Sequence, residues 1–177
     1  MLKGGGCPSL RELSLTLAAT MVEAALGLPS EVARRRAEEA LTSGAAMEKL
    51  CEWVEAQGGD PAVLTDTARL PHATHRHSVT AETDGYLDAT DAEAVGRSSI
   101  LLGAGRAVKD DIIDPTAGIL FKKQVGDPVK AGETLAILLT SDKENRFSDS
   151  AALLRSALTV KKTPPPTRPT VLDIIRS

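Results

Sequence analysis

The sequence ILFKKQVGDPVKAGETLAILLT, residues 119–140, decides the fold of the second half of the chain. A β-rich run from Ile119 to Gln124 leads into a turn at Gly126-Asp127, and a second run extends from Thr134 to Thr140. Gly132 gives the backbone the conformational freedom to turn before the second run begins. The stretch therefore predicts two strands joined by a tight, glycine-containing connection.

Similar short runs surround this stretch and complete a compact, β-rich segment. Two further strands and two helices are predicted at His75–Ala81, Tyr86–Ala89, Ala92–Leu102 and Ser148–Leu158. After them, Lys161–Pro169 is proline-rich and extended, and Val171–Ile175 is a predicted last short strand. The pattern favours an α+β domain from residue 67 to residue 177.

Residues 1–66 instead carry the apolar periodicity of three helices. Ser9 and Glu12 have the S-x-x-E spacing of a capping box at the start of the first helix. The apolar side chains of this helix recur at steps of three and four: Leu10, Leu13, Leu17, Met21, Ala24 and Leu28. Ser30 is expected to cap a second helix that ends near Leu41, and a third helix is predicted over Ala45–Gln57.

Composition excludes several classes of function. The formal net charge is -3 with acids and bases interspersed, whereas a nucleic-acid-binding face needs concentrated basic charge. Membrane spanning is not expected, since no apolar run approaches the roughly 20 residues that a bilayer requires. Cys7 and Cys51 lie far apart without a CxxC pattern, which is typical of free thiols in a reducing cytoplasm.

Three histidines are the candidate metal ligands of the sequence. His72, His75 and His77 form an H-x-x-H-x-H pattern, and on a strand His75 and His77 point to the same side. The segment follows Leu70-Pro71 and has the character of a linker entering an edge strand. We therefore favour a solvated cluster over a metal site.

A second group of candidates lies between residues 103 and 114. Gly103 and Gly105 form a G-x-G pair without the third glycine or the lysine of a phosphate loop, so we expect a turn. Three acidic side chains follow, at Asp110, Asp111 and Asp114. We expect them to form ion pairs with Arg106 and Lys109 instead of binding a cation.

Several strings occur together in an order that resembles a known family. They are Glu39–Ala46, Gln57–Pro61, Leu70-Pro71, Gly103–Arg106 with Lys109, Asp111 and Asp114, Gly118-Ile119, Val125–Asp127 and Gly132. Their order and spacing, from about Leu2 to Val160, resemble the C-terminal part of the bacterial thymidine and pyrimidine-nucleoside phosphorylases.

The resemblance implies a reversible phosphorolysis, in which phosphate attacks a pyrimidine nucleoside to give a free base and a pentose 1-phosphate. The family binds phosphate with a Lys-His-Ser-Thr-Gly-Gly type of loop and the base with an Arg and a Ser-Lys-Lys type of segment. Neither string occurs in this chain. We therefore predict no catalytic residue and no cofactor here, and expect the chain to be inactive without an N-terminal remainder, in cis or as a separate chain.

The same resemblance predicts the architecture. Residues 1–66 would be a helical segment of the large α/β domain, and residues 67–177 a C-terminal lobe of the barrel-sandwich, hammerhead-like type. The Leu10–Leu28 helix would pack on the sheet of the large domain, and without that sheet it would self-associate or leave an apolar patch exposed.

The Ile119–Leu135 pattern also resembles biotinyl and lipoyl domains. A stand-alone carrier or binding module is therefore the alternative function. In that case Lys143 would be the modified residue, although the residues around it lack the carrier setting.

Overall fold

The computed structural model describes residues 1–142 and 146–175 of the chain. The chain divides into two compact units: residues 1–69 together with the segment that begins at residue 168, and residues 70–167. Helices dominate the first unit, and both helices and strands form the second. The predicted α+β class is confirmed at this level.

The first unit contains four α-helices, α1 Pro8–Leu26, α2 Ser30–Thr42, α3 Ala45–Ala56 and the single turn α4 Ala62–Thr65, and one 3₁₀ turn, Thr67–Arg69. One side of α1 buries Leu15 and Ala19, and the facing side of α2 buries Ala33 and Ala37. Because three of these four side chains are alanines, the two helix backbones approach closely at this contact.

The start of α1 corrects the predicted capping box. The helix begins at Pro8, a position where proline's fixed φ and missing N–H cost nothing, and no side chain caps it. The carboxylate of Glu12 instead binds Arg34 of α2 at 2.8 Å. A contact between helices has therefore replaced the local hydrogen bond that the spacing predicted.

The predicted cap at Ser30 is also wrong. Pro29 occupies the N-cap position of α2, and the Ser30 hydroxyl donates to Glu23 Oε2 of α1 at 2.9 Å. Gly27 ends α1 with a φ of 61°, and its N–H donates to the Glu23 carbonyl at 2.9 Å. This left-handed conformation suits glycine, so the chain reverses sharply between the two helices.

The second unit contains two three-stranded antiparallel sheets and two helices. Its elements are β1 His75–Thr80, β2 Gly85–Thr90, α5 Ala92–Leu102, β3 Gly118–Phe121, β4 Pro128–Val129, β5 Thr134–Thr140, α6 Arg146–Ala157 and β6 Leu158–Lys161. The strand order is β1-β5-β3 in one sheet and β4-β2-β6 in the other. At Gly85 an added Cβ would overlap the Lys161 carbonyl oxygen, so only glycine allows β2 and β6 this close.

The main core of this unit lies between α5, α6 and the β1-β5-β3 sheet. It buries eight residues: Val79, Leu102, Ala136, Leu138, Phe147, Ala151, Leu154 and Ala157. At the crossing of α5 and α6, the hydroxyls of Ser98 and Ser150 lie 2.8 Å apart, and each donates to the other's carbonyl at 3.0 Å. These fully buried serines are thus satisfied at a close helix contact.

Two predictions for the last third of the chain need correction, and one short strand was not predicted at all. Helix α6 ends at Ala157, and Leu158 begins strand β6 because it pairs with Thr90 of β2. Strand β4 has only two residues and no signal of its own in the sequence. Residues 171–175 do not form the predicted last strand.

No single helix among the described residues is long and apolar enough to cross a membrane; α1 and α2 pass that test only as a pair bent by 119° at the break between them.

Candidate functional site

The exposed side of α1 is the first candidate site. Leu10, Leu13, Leu17 and Met21 share one face of α1 because they are spaced by three and four positions. This stripe lies opposite the buried Leu15 and Ala19, which pack on α2. Leu17 is 52% exposed and Met21 is 68% exposed. A contiguous apolar stripe of this kind is typical of a surface that another protein segment covers. The predicted exposed patch on this helix is confirmed.

Charged side chains on the side of α1 that faces α2 help to hold the two helices together. Arg34 binds Glu12 at 2.8 Å and Glu38 at 2.9 Å, and the hydrogen bond from Arg34 lowers the pKa of Glu12. The apolar stripe itself carries no charged side chain. The helix therefore joins a fixed, partly polar contact on one side to an open apolar surface on the other.

Asp114 organises the second candidate site, in the loop between α5 and β3. Its Oδ1 accepts from the Thr116 N–H at 2.8 Å and the Thr116 hydroxyl at 2.7 Å. Its Oδ2 accepts from the Ser141 N–H at 2.7 Å and lies 3.2 Å from the hydroxyl of Thr140. The carboxylate thus connects this loop to the end of β5.

The electrostatics of Asp114 follow from these contacts. Partial burial by itself raises the pKa of the carboxyl, but the hydrogen bonds from Thr116, Ser141 and Thr140 outweigh burial and lower the pKa to about 2. Nearby, Asp111 accepts from the backbone N–H groups of Val108 and Ala107, which lower its pKa. Both carboxylates are therefore structural acceptors that fix the loop.

This arrangement corrects the predicted ion-pair network. Within the part of the chain that the structure describes, Arg106 and Lys109 form no ion pair with the three acidic side chains. Gly103 ends α5 with a φ of 102°, and its N–H donates to the Ile100 carbonyl at 2.9 Å, so the predicted turn is confirmed. The sequence could not reveal that the partner of Asp114 would be Ser141, which is distant in the chain.

We expect Asp114→Asn to destabilise the second unit by about 1–3 kcal/mol at pH 7, because an amide presents fewer acceptors to the same donors. The pKa of Asp114 is lower in the folded chain, so its contribution is present above the unfolded value near 3.8 and disappears as the pH falls through about 2. Urea unfolding across this range should show the two proteins converging at low pH. The exposed Asp110→Asn variant is the control, and an equal loss there would contradict the role of Asp114.

The three candidate histidines do not assemble into a cluster of ligands. His72 is exposed before β1, whereas His77 on β1 stacks its ring on Phe147 of α6, with ring centroids 5.5 Å apart and planes inclined by 23°. No group of three or more His, Cys, Asp or Glu within residues 1–142 and 146–175 is arranged to hold a metal ion. The stacking supports a packing role for His77, and the preference for a solvated cluster over a metal site at His72, His75 and His77 stays a prediction.

The two cysteines, Cys7 and Cys51, are not joined by a disulfide bond. Lys143, the residue that a carrier module would modify, lies outside the described residues.

Known proteins similar to this chain are pyrimidine-nucleoside phosphorylases. Residues 86–161 match the family described as the pyrimidine nucleoside phosphorylase C-terminal domain. The chain is 40% identical over 145 residues to the pyrimidine-nucleoside phosphorylase of Bacillus subtilis (strain 168), an alignment that covers 81% of this chain and 33% of that enzyme.

Two further relatives give the same result. Identity is 38% over 164 residues to the enzyme of Geobacillus stearothermophilus, covering 92% of this chain and 37% of that enzyme. It is 38% over 160 residues to the enzyme of Staphylococcus aureus (strain USA300), covering 90% and 36%. The chain thus spans about a third of the length of these relatives. The predicted resemblance to their C-terminal part is confirmed.

Proposed function

We propose that this chain, a relative of the pyrimidine-nucleoside phosphorylases, forms the C-terminal structural part of such an enzyme. The complete enzyme would convert thymidine- or uridine-type nucleosides and phosphate into a free base and a pentose 1-phosphate. The observation that carries this proposal is the identity of 38–40% over 81–92% of the chain. The parent enzyme would act in the cytoplasm.

The chemistry itself would come from residues outside this chain. Phosphorolysis needs preorganised donors around the phosphate and a group that stabilises the departing base. The loop between α5 and β3 presents carboxylates, which are acceptors and not the donors that phosphate needs. The carboxylates of Asp111 and Asp114 are also already occupied by hydrogen bonds from the chain itself. The phosphate- and base-binding groups would therefore belong to an N-terminal remainder, either in the same polypeptide or in a separate chain.

The exposed side of α1 would contact that remainder. Residues 1–66 would belong to its large α/β domain, and the stripe of Leu10, Leu13, Leu17 and Met21 would be covered by the sheet of that domain. Residues 67–177 would form a lobe whose role is to position the domains as they close over the substrates. The two three-stranded sheets of the second unit support a barrel-sandwich type of lobe.

The test is a phosphorolysis assay with uridine and thymidine. The purified chain alone should release no more base than a blank without enzyme. Base release should appear when the N-terminal part of a homologous phosphorylase is added. Turnover by the chain alone, after contaminating host enzyme has been removed by deleting its gene, would contradict the proposal. Full activity of the N-terminal part without this chain would contradict its role in domain closure.

The carrier alternative predicts a different observation. A biotinyl or lipoyl module would carry a covalent group on Lys143, so mass spectrometry of the chain from its native host would show the added mass. An unmodified lysine there excludes the carrier function.

A further inference from the structure

A cleft of about 210 Å³ in the second unit is independent of the surfaces described so far. It opens beside a small apolar cluster formed by Ala81, Val129 and Leu135. Leu158 and Val160 of β6 pack against this cluster, are only half-buried and line the cleft. One wall of the cleft is therefore apolar surface that the fold itself leaves uncovered.

The size of the cleft limits what it can hold. An apolar cavity of about 150 Å³ suffices for benzene. This cleft is somewhat larger and open on one side, which suits a leucine- or phenylalanine-sized apolar group with a polar end directed to solvent. It is too small for a folded segment of another protein.

Two opposite charges line the same cleft. Glu82 follows β1, and Arg155 lies on α6. Both are exposed, and neither side chain forms an ion pair or a hydrogen bond with the described residues of the chain. A ligand with an apolar body in the cleft would thus meet a free guanidinium and a free carboxylate.

We propose that this cleft binds a free α-amino acid with an apolar side chain. The side chain would contact Leu158 and Val160, the α-carboxylate would pair with Arg155, and the α-ammonium would pair with Glu82. The guanidinium presents paired donors that match a carboxylate, and a zwitterion satisfies both charges at once. A ligand with only one charge would leave one of the two side chains unpaired.

Amide chemical-shift titration of the whole chain with L-phenylalanine and L-leucine tests this proposal. We expect shifts at residues 79–83 and 158–160 and a dissociation constant on the order of 1 mM, since so small a ligand gains little beyond its contacts. Phenethylamine, which lacks the carboxylate, and 3-phenylpropionate, which lacks the ammonium, should each bind about fivefold more weakly, the size of an exposed ion pair. Glycine, which lacks the apolar group, should not bind.

Two exposed variants separate the charges without risk to the fold. Arg155→Gln should weaken binding of L-phenylalanine about fivefold and leave binding of phenethylamine unchanged. Glu82→Gln should also weaken binding of L-phenylalanine about fivefold, but it should leave binding of 3-phenylpropionate unchanged. Arg97→Gln on α5, also in the second unit, is the matched control and should change nothing. Absence of shifts at these residues up to the solubility limit, or equal affinity for all three aromatic probes, would overturn the proposal. Neither result depends on phosphorolysis, so the proposed function is tested separately.

Discussion

The double substitution Leu17→Glu with Met21→Lys is expected to abolish self-association of the chain. Both side chains lie on the exposed side of α1, and burying each one contributes roughly 1.5–3 kcal/mol. Losing both corresponds to a weakening of about 100-fold or more in the association constant. Sedimentation equilibrium should show concentration-dependent association of the wild-type chain and a monomer for the variant.

The two introduced charges should leave α1 helical. A glutamate four residues before a lysine is a stabilising pair on a helix surface, and the net charge of the chain does not change. Arg35→Glu with Glu39→Lys on α2 is the matched control, because both residues are exposed and have the same spacing. A wild-type chain that sediments as a clean monomer at all concentrations, with α1 helical, would contradict an association surface on α1.

Helix α5 shows where sequence reasoning succeeds. Its predicted range, Ala92–Leu102, agrees with the structure at both ends because its stop and start signals are local. Asp91 accepts from the Glu93 and Ala94 N–H groups at 3.0 and 3.1 Å, and Gly103 adopts the left-handed conformation after the last turn. Strand β5 agrees equally well, since an uninterrupted apolar run bounded by polar residues specifies it.

The errors lie where distant contacts override local signals. Glu12 had the spacing of a capping residue, but the guanidinium of Arg34 on another helix competes successfully for its carboxylate. Leu158 continued the helical pattern of α6, yet pairing with β2 makes it the first residue of a strand. Neither competitor is visible within the window of residues from which a cap or a helix is predicted.

The candidate sites show the same difference between features set by local sequence and features set by distant contacts. Periodicity alone predicted the apolar stripe of α1, because side-chain direction on a helix follows directly from spacing. The role of Asp114 could not be predicted, because its second oxygen is bound by Ser141 at the end of β5. The similarity to the pyrimidine-nucleoside phosphorylases was predicted from the order of many weak strings along the chain and not from any single residue.

Leu154→Ala is expected to cause the largest loss of stability in the second unit. Leu154 on α6 is fully buried and contributes to the main core between the helices and the β1-β5-β3 sheet. Removing its branched end leaves a cavity that close-packed neighbours fill only partly, at a cost of about 2–5 kcal/mol. For a unit of this size the midpoint of thermal unfolding should fall by roughly 10–20 °C.

Two single aromatic residues allow this loss to be assigned to one unit. The chain has one Trp and one Tyr; Trp53 lies in the first unit and Tyr86 in the second. Because the cavity lies in the second unit, the thermal unfolding transition of Leu154→Ala, followed by the signal of Tyr86, should shift to lower temperature. Leu120→Ala on β3 removes the same atoms from a side chain that is 47% exposed, so it should cost less than half as much. Equal losses for the two variants would mean that Leu154 is not part of a close-packed core, because a cavity penalty arises only where neighbouring atoms surround the deleted group.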